Sequence, residues 1–187
     1  MREVQAEGGA PLGGGARRRL VVLLAVLAVV VYAADLATKT MALRALPPAG
    51  APVEVIPGVL RFRLVFNPGA AFSIGTGMTI VFTLIAAVVV VAIIRTARKL
   101  RSLPWAITLG LLLGGALGNL TDRLFRHPGG LQGHVVDFIE VLPGNFPVID
   151  YFPVFNIADS AIVCGGVLAV FLAWRGYQID GHREGKP

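Results

Sequence analysis

The sequence predicts a mainly α-helical membrane protein with four transmembrane helices, a small extracytoplasmic β-sheet between spans 1 and 2, and an outer-face loop before span 4. The chain has 187 residues, of which 55% are hydrophobic and 15% are charged, and its mean hydropathy is +0.73. These values are typical of a membrane protein, and the length allows a single domain. Four apolar runs separated by polar segments give the number of spans.

The distribution of positive charge predicts the orientation of these spans. Eleven of the seventeen Lys and Arg residues lie in three short segments, namely Arg2 and Arg17–Arg19, then Arg95, Arg98, Lys99 and Arg101, and finally Arg175, Arg183 and Lys186. The positive-inside rule places these segments in the cytoplasm, so both termini are expected there and the number of spans is even. Because the basic residues form no continuous face, a nucleic-acid partner is not expected.

The predicted organisation is a single membrane domain over residues 1–187. In order, it consists of a cytoplasmic leader (1–19), span 1 (20–41), an extracytoplasmic β region (52–74), span 2 (77–94), span 3 (104–122), an extracytoplasmic loop (134–155), span 4 (156–174) and a cytoplasmic tail (175–187). The basic residues before span 1 also fit a secretory signal with a cleavage site at 31–33. A retained anchor is favoured because the pattern continues to Asp35 and Lys39, whose i,i+4 spacing lets them pair on one helix face.

The β region shows a different pattern from the spans. Residues 60–66 alternate with period two between Pro57-Gly58 and Asn67-Pro68-Gly69, which predicts a strand. With residues 53–55 it suggests a small sheet on the outer membrane surface, with Arg61 and Arg63 directed to water or to lipid phosphates.

Span 3 carries Gly110, Gly114 and Gly118 at every fourth position. Small residues at this spacing let helix backbones approach closely in lipid, so we expect a packing face. A phosphate-binding loop over 114–118 is the alternative, but no strand precedes it and no Lys-Ser/Thr follows.

Acidic and amide residues gather at one level of the membrane. Seven of the eleven acids fall on the outer side in this topology, namely Asp35, Glu54, Asp122, Asp137, Glu140, Asp150 and Asp159. At a rise of about 1.5 Å per residue, Asp35, Asn119 and Asp159 stand about 24–27 Å from the cytoplasmic cations that end their helices. An ionised side chain within a span costs about 2.5–3.5 kcal/mol, so the cluster indicates a functional site. Asp122 is predicted at the interface itself, neutralised by its neighbour Arg123.

Two of these acids have contrasting environments. Asp137 lies in the apolar stretch 135–139, where desolvation is expected to raise its pKa, whereas Asp159 follows the helix-capping Asn156 and is expected to stay ionised. Such a pair forms the acid and base that hydrolysis by activated water requires. The alternatives are a plain helix cap for Asp159 and a general base at His127 or His134. Cys164 is the only cysteine, so a thiolate metal site is not expected, nor is any other metal or cofactor.

Five motifs in order resemble those of bacterial lipoprotein signal peptidase, also called signal peptidase II. They are DLATK at 35–39, NPGAAF at 67–72, GGALGNLTDR at 114–123, VVDF at 135–138 and FNIAD at 155–159. The likeness covers about 20–174. The loop at 126–133 is longer than the family usually has.

The resemblance implies an aspartic endopeptidase of the bacterial inner membrane with an outer-face active site. It would cleave prolipoproteins just before a diacylglyceryl-modified cysteine, contact membrane lipids, and be blocked by globomycin-like inhibitors. The matching catalytic residues are Asp137 and Asp159. The matching substrate-binding or supporting residues are Asp35, Lys39, Asn67, Gly69, Asn119, Asp122, Arg123 and Asn156.

Residues 143–153, which include Phe146, Tyr151 and Phe152, are predicted to close over the site as an interfacial lid, or else to act as an aromatic anchor. Two other functions remain open from the residues alone. A small transporter or proton relay would also use intramembrane acids, although the four apolar runs show no internal repeat or broken span. A structural protein would explain the glycines but not the gathered acids.

Overall fold

The computed structural model describes residues 14–48, 50–69, 78–144 and 152–183. Within these residues the elements are helix α1 (Gly14–Ala45), strands β1 (Val53–Ile56) and β2 (Leu60–Asn67), helices α2 (Thr79–Thr96) and α3 (Leu103–Phe125), strand β3 (Val135–Val141) and helix α4 (Ile157–Trp174). All four helices are long and apolar enough to cross a membrane. The predicted fold class is therefore confirmed. α1 extends beyond the predicted 20–41 at both ends, and most of the predicted leader lies outside the described residues.

Helix α3 is the centre of the bundle because its glycines let two neighbours approach. A Cβ atom at Gly114 would lie 2.7 Å from the carbonyl oxygen of Ala28 in α1, and one at Gly115 would lie 2.5 Å from that of Ala158 in α4. A Cβ atom at Gly118 would lie 2.5 Å from the Asp35 carboxylate. The predicted packing face is confirmed, and it brings the ends of α1 and α4 against α3 at the level of the polar cluster.

The two ends of the bundle differ in composition. At one end, Leu24, Ile93 and Leu100 form an apolar cluster with residues of α3. The same end holds the chain after α4, since Trp105 Nε1 donates to Tyr177 O at 2.9 Å and Arg101 N to Ile179 O at 2.9 Å. At the other end, Leu64, Val136 and Phe138 of the sheet pack on Ala42 of α1 and on Leu46, which follows that helix. The sheet is thus fixed directly beside the polar end of the bundle.

The sheet has the strand order β1-β2-β3 and is antiparallel throughout. The sequence predicted only the first two strands and assigned residues 134–155 to a loop, which is wrong for β3. The reason is that residues 135–138 are all buried, so the stretch shows no polar and apolar alternation. Asp137 therefore lies on a paired strand with a fixed direction.

Strand β2 contains a bulge that the period-two pattern does not reveal. Arg61 lies opposite Glu140, and Val65 lies opposite Asp137, with a register shift between Phe62 and Val65. Opposed residues point to the same face, and positions 137 and 140 point to opposite faces of β3. The bulge therefore turns Val65 and Asn67 to the face of Asp137, and leaves Arg61 on the other face.

The structure adds a partner to the predicted environment of Arg61 and Arg63, whose side chains are 25% and 43% exposed. Arg61 Nε donates to Glu140 Oε2 at 2.7 Å and Nη2 donates to Oε1 at 3.0 Å, while Arg63 Nε lies 3.4 Å from the same carboxylate. The hydrogen bonds from Arg61 hold the pKa of Glu140 below its usual range. Both arginines therefore neutralise a buried acid of the sheet, because β3 places Glu140 directly opposite β2.

We expect Gly114→Ala to destabilise the bundle by about 1–3 kcal/mol, since the new methyl group would overlap the backbone of α1. The measurement is thermal unfolding in detergent. Gly166→Ala is the matched control, because a Cβ atom there meets nothing within 4 Å. An equal melting temperature for Gly114→Ala and the wild-type protein would contradict the close packing of α1 on α3.

Candidate active site

Asn156 joins the two aspartates that the sequence selects. Its Nδ2 donates to Asp137 Oδ1 at 2.7 Å, and its Oδ1 accepts from the backbone N–H of Asp159 at 2.8 Å. In return, Asp159 Oδ2 accepts from the backbone N–H of Asn156 at 3.2 Å, which completes a capping box at the start of α4. The predicted helix cap is confirmed. The Asn156 side chain both caps α4 and binds Asp137. The orientation of α4 is therefore coupled to that of the Asp137 carboxyl group.

Asp137 is buried, with 1% of its surface exposed. Its second oxygen, Oδ2, accepts from Asn67 Nδ2 at 2.9 Å. Burial, and then the nearby charge of Asp159, raise the pKa of Asp137 to about 7, although the amides of Asn67 and Asn156 act in the opposite direction. The direction agrees with the sequence-based expectation, so this carboxyl group can hold a proton near neutral pH.

Asp159 is held from the other side by α3. Asn119 Nδ2 donates to Asp159 Oδ1 at 2.7 Å, so both oxygens of the carboxyl group accept a hydrogen bond. Donors of this kind, placed at a helix N-terminus, favour the ionised form. Unlike Asp137, Asp159 is only partly buried.

Lys39 lies at the centre of this polar layer. Among the described residues it is the only Lys or Arg that is fully buried, with 0% of its surface exposed. Its Nζ lies 2.7 Å from Asp35 Oδ2, 2.9 Å from Asp122 Oδ2 and 3.0 Å from Asn119 Oδ1. The Asn119 contact is a hydrogen bond, and the two carboxylate contacts are ion pairs. The predicted pair of Asp35 and Lys39 is confirmed as part of a larger cluster.

The carboxylates that bind Lys39 also fix the backbone before each aspartate. Asp122 Oδ2 accepts from the N–H of Val136 at 3.2 Å, and Asp35 Oδ1 accepts from the N–H of Ala158 at 2.9 Å. These two residues directly precede Asp137 and Asp159. The buried ammonium therefore sets the position of β3 and of α4 through one acid each.

The sequence paired Asp122 with Arg123, and the structure corrects this. Asp122 forms ion pairs with Lys39 and with Arg126, the latter from Nε to Oδ1. Adjacent residues on a helix point in different directions, whereas residues four apart share a face. The i,i+4 spacing of Asp122 and Arg126 was the signal that the sequence analysis missed.

Arg123 instead turns towards the aspartates. The charges of Asp137, Asp159 and Asp122 all act on its guanidinium group. Among the described residues, its buried Nη1 has no hydrogen-bond partner. A buried guanidinium nitrogen is costly to leave unpaired, so this donor is available to a bound ligand.

Gly69 shapes the edge of the site. Its φ of +117° favours glycine, and a Cβ atom there would lie 2.9 Å from the Phe82 ring and 3.4 Å from Arg123 Nη1. Its N–H donates to Asn67 Oδ1 at 2.8 Å, which turns Nδ2 of that amide to Asp137. Residues 70–72 of the predicted motif lie outside the described residues.

A groove of about 260 Å³ leads from the lipid-facing side of the bundle to the site. Asn119 and Arg123 provide its polar end, and the remaining lining is apolar: Phe82, Ile85, Ala86, Val89, Leu112, Ala116 and Ile162. This groove could not be predicted from the sequence, since it arises where α2 and α4 both pack on α3. It offers an apolar ligand a path to the acids.

The remaining candidates are not part of this cluster. In the described part of the chain, the histidine rings form no hydrogen bond to either aspartate, and His134 N only donates to the carbonyl oxygen of His127, at 3.2 Å. No group of three or more His, Cys, Asp or Glu residues in the described ranges is arranged to hold a metal ion. Residues 145–151 of the predicted lid lie outside the described residues, and the lid stays a prediction.

Comparisons with known proteins agree with this geometry. The model of the family described as signal peptidase (SPase) II matches residues 27–175, a range that includes every predicted site residue. The chain belongs to the signal peptidase II family. The lipoprotein signal peptidase of Rhodococcus jostii is 53% identical over 160 residues, covering 86% of this chain and 76% of that protein. That of Streptomyces griseus is 55% identical over 155 residues, covering 83% and 74%.

Solved structures resemble the chain as well. A bacterial membrane enzyme determined by the in meso method at 2.3 Å resolution has a TM-score of 0.65 and 28% identity, covering 93% of this chain and 96% of that one. A second such structure, at 1.9 Å resolution, has a TM-score of 0.61 and 29% identity, covering 86% and 94%. This signal peptidase II family member therefore shares its overall arrangement with experimentally determined membrane enzymes.

We expect Lys39→Met to lower the free energy of unfolding by about 3–5 kcal/mol, because Asp35 and Asp122 would stay buried without their shared counter-charge. Thermal unfolding in detergent measures the effect. The control is Arg44→Met, which removes an exposed cation from the last turn of the same helix and is expected to change stability by less than about 0.5 kcal/mol. Similar losses in both variants would show that the buried cluster does not depend on the ammonium.

Proposed function

We propose that the protein is an aspartic endopeptidase that removes signal peptides from bacterial prolipoproteins, with Asp137 and Asp159 as its catalytic residues. The observation that carries the proposal is the contact of both aspartates with the single amide of Asn156. This arrangement holds two carboxyl groups beside each other, one fully buried and one partly buried. Family membership supports the substrate class, since the relatives are lipoprotein signal peptidases. The transporter alternative receives no support from these relatives.

The proposed reaction is attack by a water molecule held between the carboxyl groups. Asp159, as base, takes a proton from the water while its oxygen adds to the scissile carbonyl carbon. Asp137, as acid, donates its proton to the carbonyl oxygen, which gives a tetrahedral diol. When the carbon–nitrogen bond breaks, the leaving nitrogen receives a proton from Asp159, and one hydroxyl group of the diol returns its proton to Asp137, which gives the carboxylic acid product and restores both aspartates. The raised pKa of Asp137 supports its role as the proton donor.

Arg123 and Asn119 are proposed to position the substrate. The unpartnered Nη1 of Arg123 is suited to donate to a peptide carbonyl oxygen near the aspartates. Asn119 is already fixed by Lys39 and Asp159, so it presents a rigid wall at the end of the groove. Asn67 and Asn156 hold Asp137, while Asp35, Asp122 and Gly69 support this arrangement from behind.

The apolar groove indicates how a lipid-anchored substrate reaches the acids. Its lining favours acyl chains or the apolar signal helix, while its polar end meets the peptide bond. This fits cleavage just before a diacylglyceryl-modified cysteine, the position that the motif resemblance implies. Globomycin-like inhibitors would occupy the same end of the groove.

The charge distribution supports a location in the bacterial inner membrane with both termini in the cytoplasm. The cations Arg17–Arg19, Arg95 and Lys99 lie at the end of the bundle away from the aspartates. By the positive-inside rule, that end faces the cytoplasm and the site lies near the outer face.

We expect Asp137→Asn and Asp159→Asn each to lower the rate of signal-peptide release by about 10²–10⁴-fold, because each removes one proton-transfer group. The assay is release of signal peptide from a lipid-modified precursor in detergent, followed by mass spectrometry. Glu54→Gln, at a half-exposed position on the edge strand, is the control and should retain wild-type turnover. Wild-type turnover from either aspartate variant would exclude that residue from catalysis.

We also expect kcat/KM to fall as the pH rises through about 7, because the acid Asp137 must be protonated and its pKa is about 7. Asn67→Ala removes a hydrogen bond that lowers this pKa, so the decline should move to higher pH. The pH profile of kcat/KM measures the shift independently of the overall rate. A decline that stays in place or moves to lower pH would contradict the assignment of Asp137 as the acid.

A further inference from the structure

The chain after α4 folds back on the bundle at the end away from the active site. Gln178 N donates to His182 O at 2.9 Å, and the Arg183 guanidinium lies 4.8 Å from the centre of the Tyr177 ring. This turn, residues 176–183, is fixed to α3 by the hydrogen bonds of Trp105 and Arg101 described above. The turn is therefore an ordered part of the fold, held by hydrogen bonds to the rest of the bundle.

A cavity of about 310 Å³ lies between this turn and the end of α2. Its lining consists of Arg95, Thr96, Lys99, Gln178, Ile179 and Asp180. The two cations come from the α2 side, and the acid comes from the turn. The cavity thus has a positive wall and a wall with a negative charge.

The contacts that hold the Asp180 carboxylate involve only one of its two oxygens. The backbone N–H of His182 donates to Oδ1 at 3.1 Å, and His182 Nδ1 lies 3.2 Å from the same oxygen. These contacts keep the pKa of Asp180 below its usual range, the backbone hydrogen bond first, so the group is ionised at neutral pH. Both contacts use Oδ1, so Oδ2 lies outside them.

An apolar stripe runs from the cavity along α2. Val88, Val91 and Arg95 are spaced i, i+3 and i+7 and so share one helix face. Val88 is 67% exposed and Val91 is 49% exposed. In a membrane this stripe contacts acyl chains, and the chain that lies on it ends at the Arg95 guanidinium. A free phosphate ion would make no use of this surface.

We propose that the cavity binds the headgroup of a membrane phospholipid that carries both a phosphate and a primary ammonium group, as phosphatidylethanolamine does. The phosphate meets Arg95 and Lys99, and the ammonium donates to the Asp180 carboxylate. A choline headgroup has no N–H to donate, and a glycerol headgroup brings no positive charge to the acid. The bound lipid would join the end of α2 to the turn at residues 176–183.

The test is native mass spectrometry of the full chain from micelles that contain equal amounts of phosphatidylethanolamine, phosphatidylcholine and phosphatidylglycerol with identical acyl chains. We expect the ethanolamine lipid to be retained about two- to fivefold more than the choline lipid, the range of one partly exposed ion pair. Asp180→Asn should abolish this preference while its amide oxygen still accepts from the His182 N–H.

Arg95→Gln should lower the retention of all three lipids, because each has a phosphate. Arg98→Gln is the matched control: it removes one positive charge from the same segment, but Arg98 does not line the cavity. It should leave lipid retention unchanged. Circular dichroism of each variant verifies that the helices are intact.

Three results would overturn the proposal. Equal retention of the ethanolamine and choline lipids by the wild-type protein would exclude recognition of the ammonium, and this comparison needs no variant. Preferential retention of the glycerol lipid would show a simple anion site. Equal losses in Arg95→Gln and Arg98→Gln would show a general attraction of the basic end for lipid phosphates.

Discussion

The arrangement of the candidate active site depends on one buried ammonium group. Lys39 has three N–H donors and no access to water, so it requires three acceptors at fixed positions. The acceptors come from α1 and α3, and two of them are carboxylates that also bind the backbone ahead of Asp137 and Asp159. A shift of β3 or of α4 would therefore take a backbone N–H donor away from a buried carboxylate, which is costly.

The same burial that makes this cluster costly also prepares its chemistry. Burial of Asp137 raises its pKa to about 7, whereas the hydrogen bonds from the amides of Asn67 and Asn156 act to lower that pKa. Asp159 receives donors on both oxygens and remains partly open to water. Two residues of the same type thus have different hydrogen-bond partners and different exposure, and the proposed division into an acid and a base rests on that difference.

Helix α3 makes this arrangement possible in lipid. Its glycines allow α1 and α4 to approach the backbone, so Asp35 and Asn119 lie near enough to share Lys39. α2 does not take part in the cluster and instead forms one wall of the apolar groove. The bundle therefore divides into three helices that hold the acids and one that borders the access path. The basic end of the same bundle bears a charged cavity with an apolar stripe, which suits a lipid headgroup and its chain.

Four features could be predicted from the sequence alone: the four spans, the glycine face, the pair of Asp35 and Lys39, and the cap at Asn156. Each depends on residues close together in the chain or on overall hydropathy. The ordered motifs of the sequence also selected the ten candidate residues of the site. Three features are seen only in the tertiary structure: β3 is a strand, a bulge turns Asn67 to Asp137, and Asp122 binds Lys39 and Arg126 rather than Arg123. These features depend on strand register and on contacts between distant segments, and a strand buried on both faces shows no alternation from which to predict it. The groove between α2 and α4 belongs to the same class, since it exists only where two helices pack on a third.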